Sequence, residues 1–128
     1  MYRYDAAAHQ LAVDRFGAML RNWRELNHWT QYTAYKWGKA SGFSSAAPST
    51  MSVIEQGKAP KPRPETFFAL GEINRRLAMR DFQGVTDRAL LELVSAAEPL
   101  RGDDGMVWGP AEFWSCHVGL IQVPARYR

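Results

Sequence analysis

Alternating prolines constrain the fold of this chain more than any other feature. Every second residue from Pro60 to Pro64 lacks a backbone N–H, so this segment cannot be regular helix. The segment before it, Ser49 to Gly57, has helical spacing and ends at a glycine, which readily terminates a helix. The sequence therefore predicts a short helix followed by a stiff, basic loop.

Four further helices are predicted around this pair of segments. Apolar residues recur at helical spacing over residues 10–27, which predicts the first helix. The second runs from a Thr30 cap to about Ala40, and residues 41–45 form a turn. The third starts between Ala46 and Pro48, the fourth opens at Pro64, and Thr86-Asp87 caps the fifth.

The spacing also predicts which side chains are buried. The first helix is expected to have a solvated face (Asp14, Arg15, Arg21, Arg24, Glu25). The third should bury Met51 and Ile54 and turn Ser49, Ser52, Val53 and Gln56 the other way. The fourth has an apolar face (Phe67, Phe68, Leu70, Ile73, Leu77), and the fifth is apolar on more than one side (Leu90, Leu91, Leu93, Val94).

The C-terminal tail gives weaker signals. Gly109-Pro110 resembles a helix start, and the apolar run 118–123 is compatible with a short strand that stops at Pro124. We therefore expect a mainly α protein with five helices and a C-terminal extension. Residues 1–78 would form the helical domain, and residues 79–128 a dimerisation or partner-binding extension.

Positive charge is concentrated in the first half of the chain. Through residue 64 there are nine basic and four acidic residues, a net charge of +5. From residue 65 onward seven arginines face nine carboxylates, a net charge of −2. All four lysines fall in the first part, so we expect a polyanionic partner there.

Composition and motifs argue against several other classes. The sequence has no apolar run long enough to cross a bilayer and no signal peptide after Met1, and its one cysteine, Cys116, fits a reducing cytoplasm. Cys116-His117 lacks the spacing of a zinc site, and adjacent side chains point apart. We therefore expect a cytoplasmic protein that is not an enzyme and has no cofactor or metal.

The third helix has the side chains of a helix that reads duplex DNA. Ser49, Ser52 and Gln56 can hydrogen-bond to bases or phosphates, and Val53 can contact a thymine methyl group. Gln31, in the first turn of the second helix, can reach a phosphate. The predicted contact set also includes basic anchors and neighbouring positions (Lys39, Ser45, Pro48, Lys58, Lys61, Arg63).

These segments resemble the lambda-repressor-like (Xre-type) helix-turn-helix regulators over about residues 10–78. Thr30-Gln31 matches the opening of that family's second helix. Residues 49–57 match its Ser-Thr-Ile-Ser-x-Ile-Glu-x-Gly pattern, with Met51 in place of isoleucine. The resemblance implies a phosphate contact for Gln31 and base-facing positions for Pro48, Ser49, Ser52, Val53 and Gln56. The extra residues relative to the family fall around residues 39–47.

Two interpretations remain open at this level. The first is a sequence-specific, repressor-like regulator of double-stranded DNA that acts as a homodimer through residues 79–128. The second is a protein-interaction module, an antitoxin or adaptor, that keeps the helix-turn-helix scaffold and binds a protein with its aromatic C-terminus. The clustered aromatics (Trp23, Trp29, Tyr32, Tyr35, Trp37) are interpreted as core rather than as a stacking surface for single strands.

Overall fold

The chain is mainly α-helical, as the sequence predicts. The computed structural model describes residues 5–42 and 48–128, with only the backbone for residues 48–50. Within that part there are six α-helices and one 3-10 helix: α1 (Ala6–Leu26), α2 (Gln31–Ala40), α3 (Pro48–Glu55), α4 (Pro64–Met79), α5 (Arg88–Ala96), α6 (Pro110–His117) and η1 (Ala125–Tyr127). No helix in the described part has the length and apolar character needed to span a membrane.

Helix α1 begins earlier than its apolar spacing predicts. The Asp5 carboxylate accepts hydrogen bonds from the backbone N–H groups of Ala7 and Ala8, each at 3.0 Å, and so caps the helix. Residues 6–8 are alanines, which favour helix but contribute nothing to an apolar stripe. Periodicity therefore could not place this helix start.

Helix α2 begins where the sequence predicts. Thr30 Oγ1 accepts a hydrogen bond from the N–H of Thr33 at 3.0 Å, and Thr33 Oγ1 accepts one from the N–H of Thr30 at 3.4 Å. This reciprocal pair satisfies N–H groups that have no partner within the helix. It fixes the direction in which α2 leaves α1.

The predicted strand over residues 118–123 is wrong. Val118 caps the end of α6, and Gly119 takes a left-handed conformation with φ of 84°. The N–H of Leu120 then bonds back to the Ser115 carbonyl at 2.8 Å, which closes the helix end. The one β-type pairing among the described residues is an isolated antiparallel bridge between Arg101 and Val107.

A single hydrophobic cluster joins the helices, and residues from both sides of position 78 contribute to it. Helix α4 packs on α6, and α1 packs on α3, α6 and η1. Three of the four tail aromatics, Trp108, Phe113 and Tyr127, are buried, while Trp114 is exposed. The division into domains 1–78 and 79–128 stays a prediction.

One of the predicted burial patterns needs correction. Phe68, expected on the apolar face of α4, is 61% exposed, whereas its neighbour Phe67 is buried. Helix α4 therefore buries a narrower stripe than its apolar content suggests. On α5, Leu90 and Val94 are buried and Leu91 is exposed, which agrees with the expected apolar character on more than one side.

A buried asparagine ties α4 to the C-terminal segment. Asn74 Nδ2 donates to the carbonyls of Leu100 and Trp108, each at 2.9 Å, and Asn74 Oδ1 accepts from the N–H of Leu100 at 2.7 Å. Asn74 has no exposed surface, and these bonds offset its desolvation. The side chain holds the segment around Arg101–Val107 against α4.

Candidate nucleic-acid interface

Helix α3 presents a polar surface on the side away from the core. Met51 and Ile54 are buried, as predicted, whereas Val53 is 41% exposed and Gln56 is exposed. Gln56 Nε2 donates a hydrogen bond to Ser52 Oγ at 2.9 Å. This outward face combines one amide, one hydroxyl and one small apolar side chain, the groups with which helices read base edges.

A buried ion pair sets the orientation of α3. Glu55 is 5% exposed, and its carboxylate accepts two hydrogen bonds from Arg24, Nε to Oε2 at 3.0 Å and Nη2 to Oε1 at 2.7 Å. Arg21 adds a bond from Nη2 to the Glu55 carbonyl at 3.3 Å. The hydrogen bond to Glu55 raises the pKa of Arg24. Two arginines of α1 therefore hold the end of α3.

Arg24 therefore does not belong to a purely solvated face, contrary to the sequence prediction. Its Nη1 also donates to the Trp29 carbonyl at 2.9 Å, so one guanidinium connects the α1–α2 junction with the end of α3. The planar, forked guanidinium suits this double role. A sign of this ion pair was present in the sequence, because the pattern over residues 49–57 contains the Glu55 carboxylate. Spacing alone could not identify Arg24 as its partner.

Helices α1 and α3 also approach closely at Gly17. A Cβ atom at this position would overlap the Ile54 carbonyl oxygen and lie 3.0 Å from the Glu55 carbonyl oxygen. Only a residue without a side chain allows this separation. Sequence patterns make no prediction for Gly17, because a glycine inside a helix does not reveal which backbone it faces.

The basic loop after α3 is anchored through its backbone. Gly57, with φ of 71°, ends the helical segment, and its carbonyl accepts from Gln10 Nε2 at 2.8 Å. The Pro60 carbonyl lies 3.1 Å from His9 Nε2, and the Ala59 carbonyl lies 3.2 Å from His117 Nε2. The backbone of the loop faces α1 and α6, while the side chains of Lys58, Lys61 and Arg63 are exposed.

His117 occupies a largely apolar site beneath this loop. Its ring packs edge-on against Phe16 at 5.1 Å and Phe67 at 5.4 Å between ring centroids. Burial is the main cause that lowers the pKa of His117, the hydrogen bond to Ala59 raises it, and the nearby His9 lowers it further. Cys116 is also buried, and burial raises the pKa of its thiol to about 11, so the thiol stays protonated at neutral pH.

The structure describes some of the other predicted contact residues fully, some by backbone only, and one not at all. Gln31 is the first residue of α2 and is partly buried, and Lys39 is exposed near the C-terminal end of that helix. Pro48 and Ser49 lie in the first turn of α3, but their side chains fall outside the described residues. Ser45 lies wholly outside them. The structure brings Ser52 and Gln56 into direct contact.

The aromatic cluster divides between core and surface. Trp23, Trp29 and Trp37 are buried, as the core interpretation expects. Tyr32 is exposed, and the ammonium group of Lys36 lies 5.6 Å from its ring centroid. Lys36 also pairs with Asp87 at 2.7 Å, which connects α2 to the start of α5. Tyr32 is therefore a surface residue of α2, contrary to the prediction.

Comparison with known protein families shows to which family this chain belongs. Residues 7–119 match the model of a family described as a domain of unknown function, DUF8644. The chain belongs to this family. The DUF8644 match runs from the first turn of α1 to the residues just after α6, so it includes the α3 face, the basic loop and the buried Glu55. No curated protein and no solved structure gives a significant match.

Proposed function

We propose that this DUF8644 protein is a sequence-specific, double-stranded DNA-binding regulator of the repressor-like kind. The observation that carries the proposal is the orientation of α3. Met51 and Ile54 face the core, Arg24 holds Glu55, and the outward face consists of Ser52, Val53 and Gln56. A helix fixed in this way can enter the major groove without losing its packing.

In this proposal α1 to α5 form a lambda-repressor-like unit. Helix α2 packs on α3, α4 and α5, which suits a helix that supports its successor while crossing the phosphate backbone. Gln31 lies in the first turn of α2, where a side-chain amide and free backbone N–H groups favour a phosphate. Ser52, Val53 and Gln56 would contact base edges.

The loop after α3 would supply the non-specific part of the affinity. Lys58, Lys61 and Arg63 are exposed, and the loop backbone beside them is held by side chains of α1 and α6. Cations fixed next to a reading helix can bind phosphates with little loss of loop freedom. Each phosphate that they neutralise releases counterions and makes binding depend more steeply on salt.

The test is the salt dependence of binding to random duplex DNA. We expect Lys58→Ala/Lys61→Ala/Arg63→Ala to weaken binding and to reduce the log–log salt slope by about 2.7, which corresponds to three phosphate contacts. The matched control, Arg88→Ala/Arg101→Ala/Arg128→Ala, removes three exposed charges outside the proposed surface and should leave the slope near its original value. Equal slopes for wild type and the loop variant, or no binding at low salt, would contradict the proposal.

A protein-interaction module remains the second candidate function. The observation in its favour is the exposure of Trp114, Leu120 and Ile121 at the end of the chain, where the core does not use them. An antitoxin or adaptor would bind its protein partner through such residues. Failure of the duplex experiment favours this candidate.

A further inference from the structure

A cleft of about 610 Å³ lies between α4 and the start of α6, and no contact proposed for DNA uses it. This volume is in the range of small-molecule sites in proteins. Gly71 allows α4 to lie directly against the start of α6, because a Cβ atom at position 71 would overlap the ring of Pro110. The cleft extends to Ser41 at the end of α2.

Part of the cleft lining is apolar and includes an aromatic ring that the core does not need. Phe68 is 61% exposed although it sits on α4, which supplies much of the core. Trp108 and Pro110 line the cleft from the segment that leads into α6. Together these side chains offer a surface against which a flat apolar molecule can pack.

Toward the C-terminal half of α4, the lining of the cleft carries a net positive charge. Glu72 accepts hydrogen bonds from Arg75, including Nε to Oε2 at 2.8 Å, and from Arg76 Nε to Oε1 at 3.2 Å. These bonds hold the pKa of Glu72 at about 2, so two cations face one anion, a net charge of +1. The carboxylate also fixes both guanidinium groups in position, which lowers the entropy lost on binding an anion.

Ser41 adds an unsatisfied polar group at the end of the cleft. Its hydroxyl is buried and has no hydrogen-bond partner within the described part of the chain. A buried hydroxyl without a partner is unfavourable.

We propose that this cleft is a binding site for a small monoanionic molecule with a flat apolar body, such as an aromatic carboxylate. The body packs against Phe68, Trp108 and Pro110. The carboxylate binds the Arg75–Arg76 pair, whose excess charge it neutralises.

The test uses 1-naphthoate as the probe and the backbone amide shifts of the 15N-labelled protein, without DNA. We expect saturable shifts in α4 and at residues 107–109, with a Kd below about 1 mM. The neutral analogue 1-naphthalenemethanol and the variant Arg75→Gln/Arg76→Gln should each reduce the affinity by about tenfold, the usual effect of losing a charged hydrogen bond. The matched charge control, Arg88→Gln/Arg101→Gln, should bind as wild type does.

A second cleft variant keeps the test decisive if the arginine variant misfolds. Phe68→Ala removes an exposed ring outside the core and should weaken binding of the probe while the spectrum keeps its native dispersion. Absence of saturable shifts at millimolar probe, equal affinity for the neutral analogue, or unchanged affinity in either cleft variant would overturn the proposal. Because DNA is absent, these outcomes are independent of the proposed regulatory function.

Discussion

Glu55 shows how a single charged residue can fix the position of a whole helix. A buried carboxylate loses its hydration, and its attraction to an arginine recovers this loss only when the geometry is close and the hydrogen bonds are complete. Here both carboxylate oxygens bind Arg24, whose side chain is 15% exposed. Removal of one partner would leave the other charge buried without compensation.

We therefore expect Glu55→Gln to lower the free energy of unfolding by about 3 kcal/mol. Urea denaturation measures this change. The matched control is Glu92→Gln, because Glu92 and Arg88 are both largely exposed and lie 3.9 Å apart. Such a surface pair contributes less than about 1 kcal/mol. Similar losses for the two variants would refute a structural role for the Glu55 pair.

Residues such as Glu55 and Asn74 mark the limit of inference from sequence at this scale. Periodicity identified Met51 and Ile54 as buried because apolar spacing alone determines the inward face of a short helix. The partners of a buried polar side chain lie far away in sequence. Asn74 bonds to residues 26 and 34 positions later, and no local pattern specifies such pairs.

Among the structural elements, the basic loop and the histidines that contact it form one unit. The contribution of this unit to the free energy of unfolding depends on pH. Burial lowers the pKa of His117 below 6.5 in the folded protein. The unfolded chain therefore binds more protons than the folded protein as the pH falls below this value. The contribution of neutral His117 to stability is complete above pH 6.5 and decreases as the pH falls toward the folded-state pKa.

We predict that the free energy of unfolding of wild type falls between pH 7 and pH 5 and that His117→Gln removes much of this dependence. Urea midpoints at the two pH values measure the difference. The lowered pKa values of Glu72, Asp87 and Glu98 act at lower pH, because these carboxylates protonate below their ordinary values. The control His28→Asn, at an exposed position with φ of 61°, should keep the wild-type slope. An unchanged slope in His117→Gln would contradict this account of the loop anchor.

Elements with chemical stop and start signals were predictable, and those defined only by apolar content were not. Thr30, Pro64 and Asp87 mark helix starts through capping or a fixed φ, and the structure confirms all three. Apolar runs like that at 118–123 occur both in strands and at helix ends, so composition could not distinguish the two structures. Phe68 was misplaced because the width of a buried stripe depends on what packs against the helix.

At the scale of the whole molecule, the C-terminal segment shares the core of the N-terminal helices. Tyr127 is buried, and the Asn22 side chain of α1 donates to its carbonyl at 2.9 Å. The aromatic tail thus contributes mostly to this chain's own packing. Leu91 of α5 is an exposed apolar residue within residues 79–128, the part of the chain for which a dimer contact is predicted.

We predict a homodimer of twice the 14.5 kDa chain mass in multi-angle light scattering at micromolar concentration. Two copies would match two half-sites one helical turn apart on DNA. Leu91→Ser should shift the mass toward the monomer, because it places a polar group in the expected contact. Leu11→Ser is the control, since Leu11 is exposed on α1 outside the expected dimer surface. A strictly monomeric wild type would count against the homodimer.

We propose that the outward face of α3 reads base sequence, and selection of bound duplexes from a random pool is the decisive experiment for this proposal. We predict that wild type enriches a shared motif and that Gln56→Ala relaxes the preference at one or two positions of that motif. The loop variant Lys58→Ala/Lys61→Ala/Arg63→Ala should bind more weakly but select the same motif. No enriched motif with wild type, or an identical preference after Ser52→Ala/Gln56→Ala, would contradict the account.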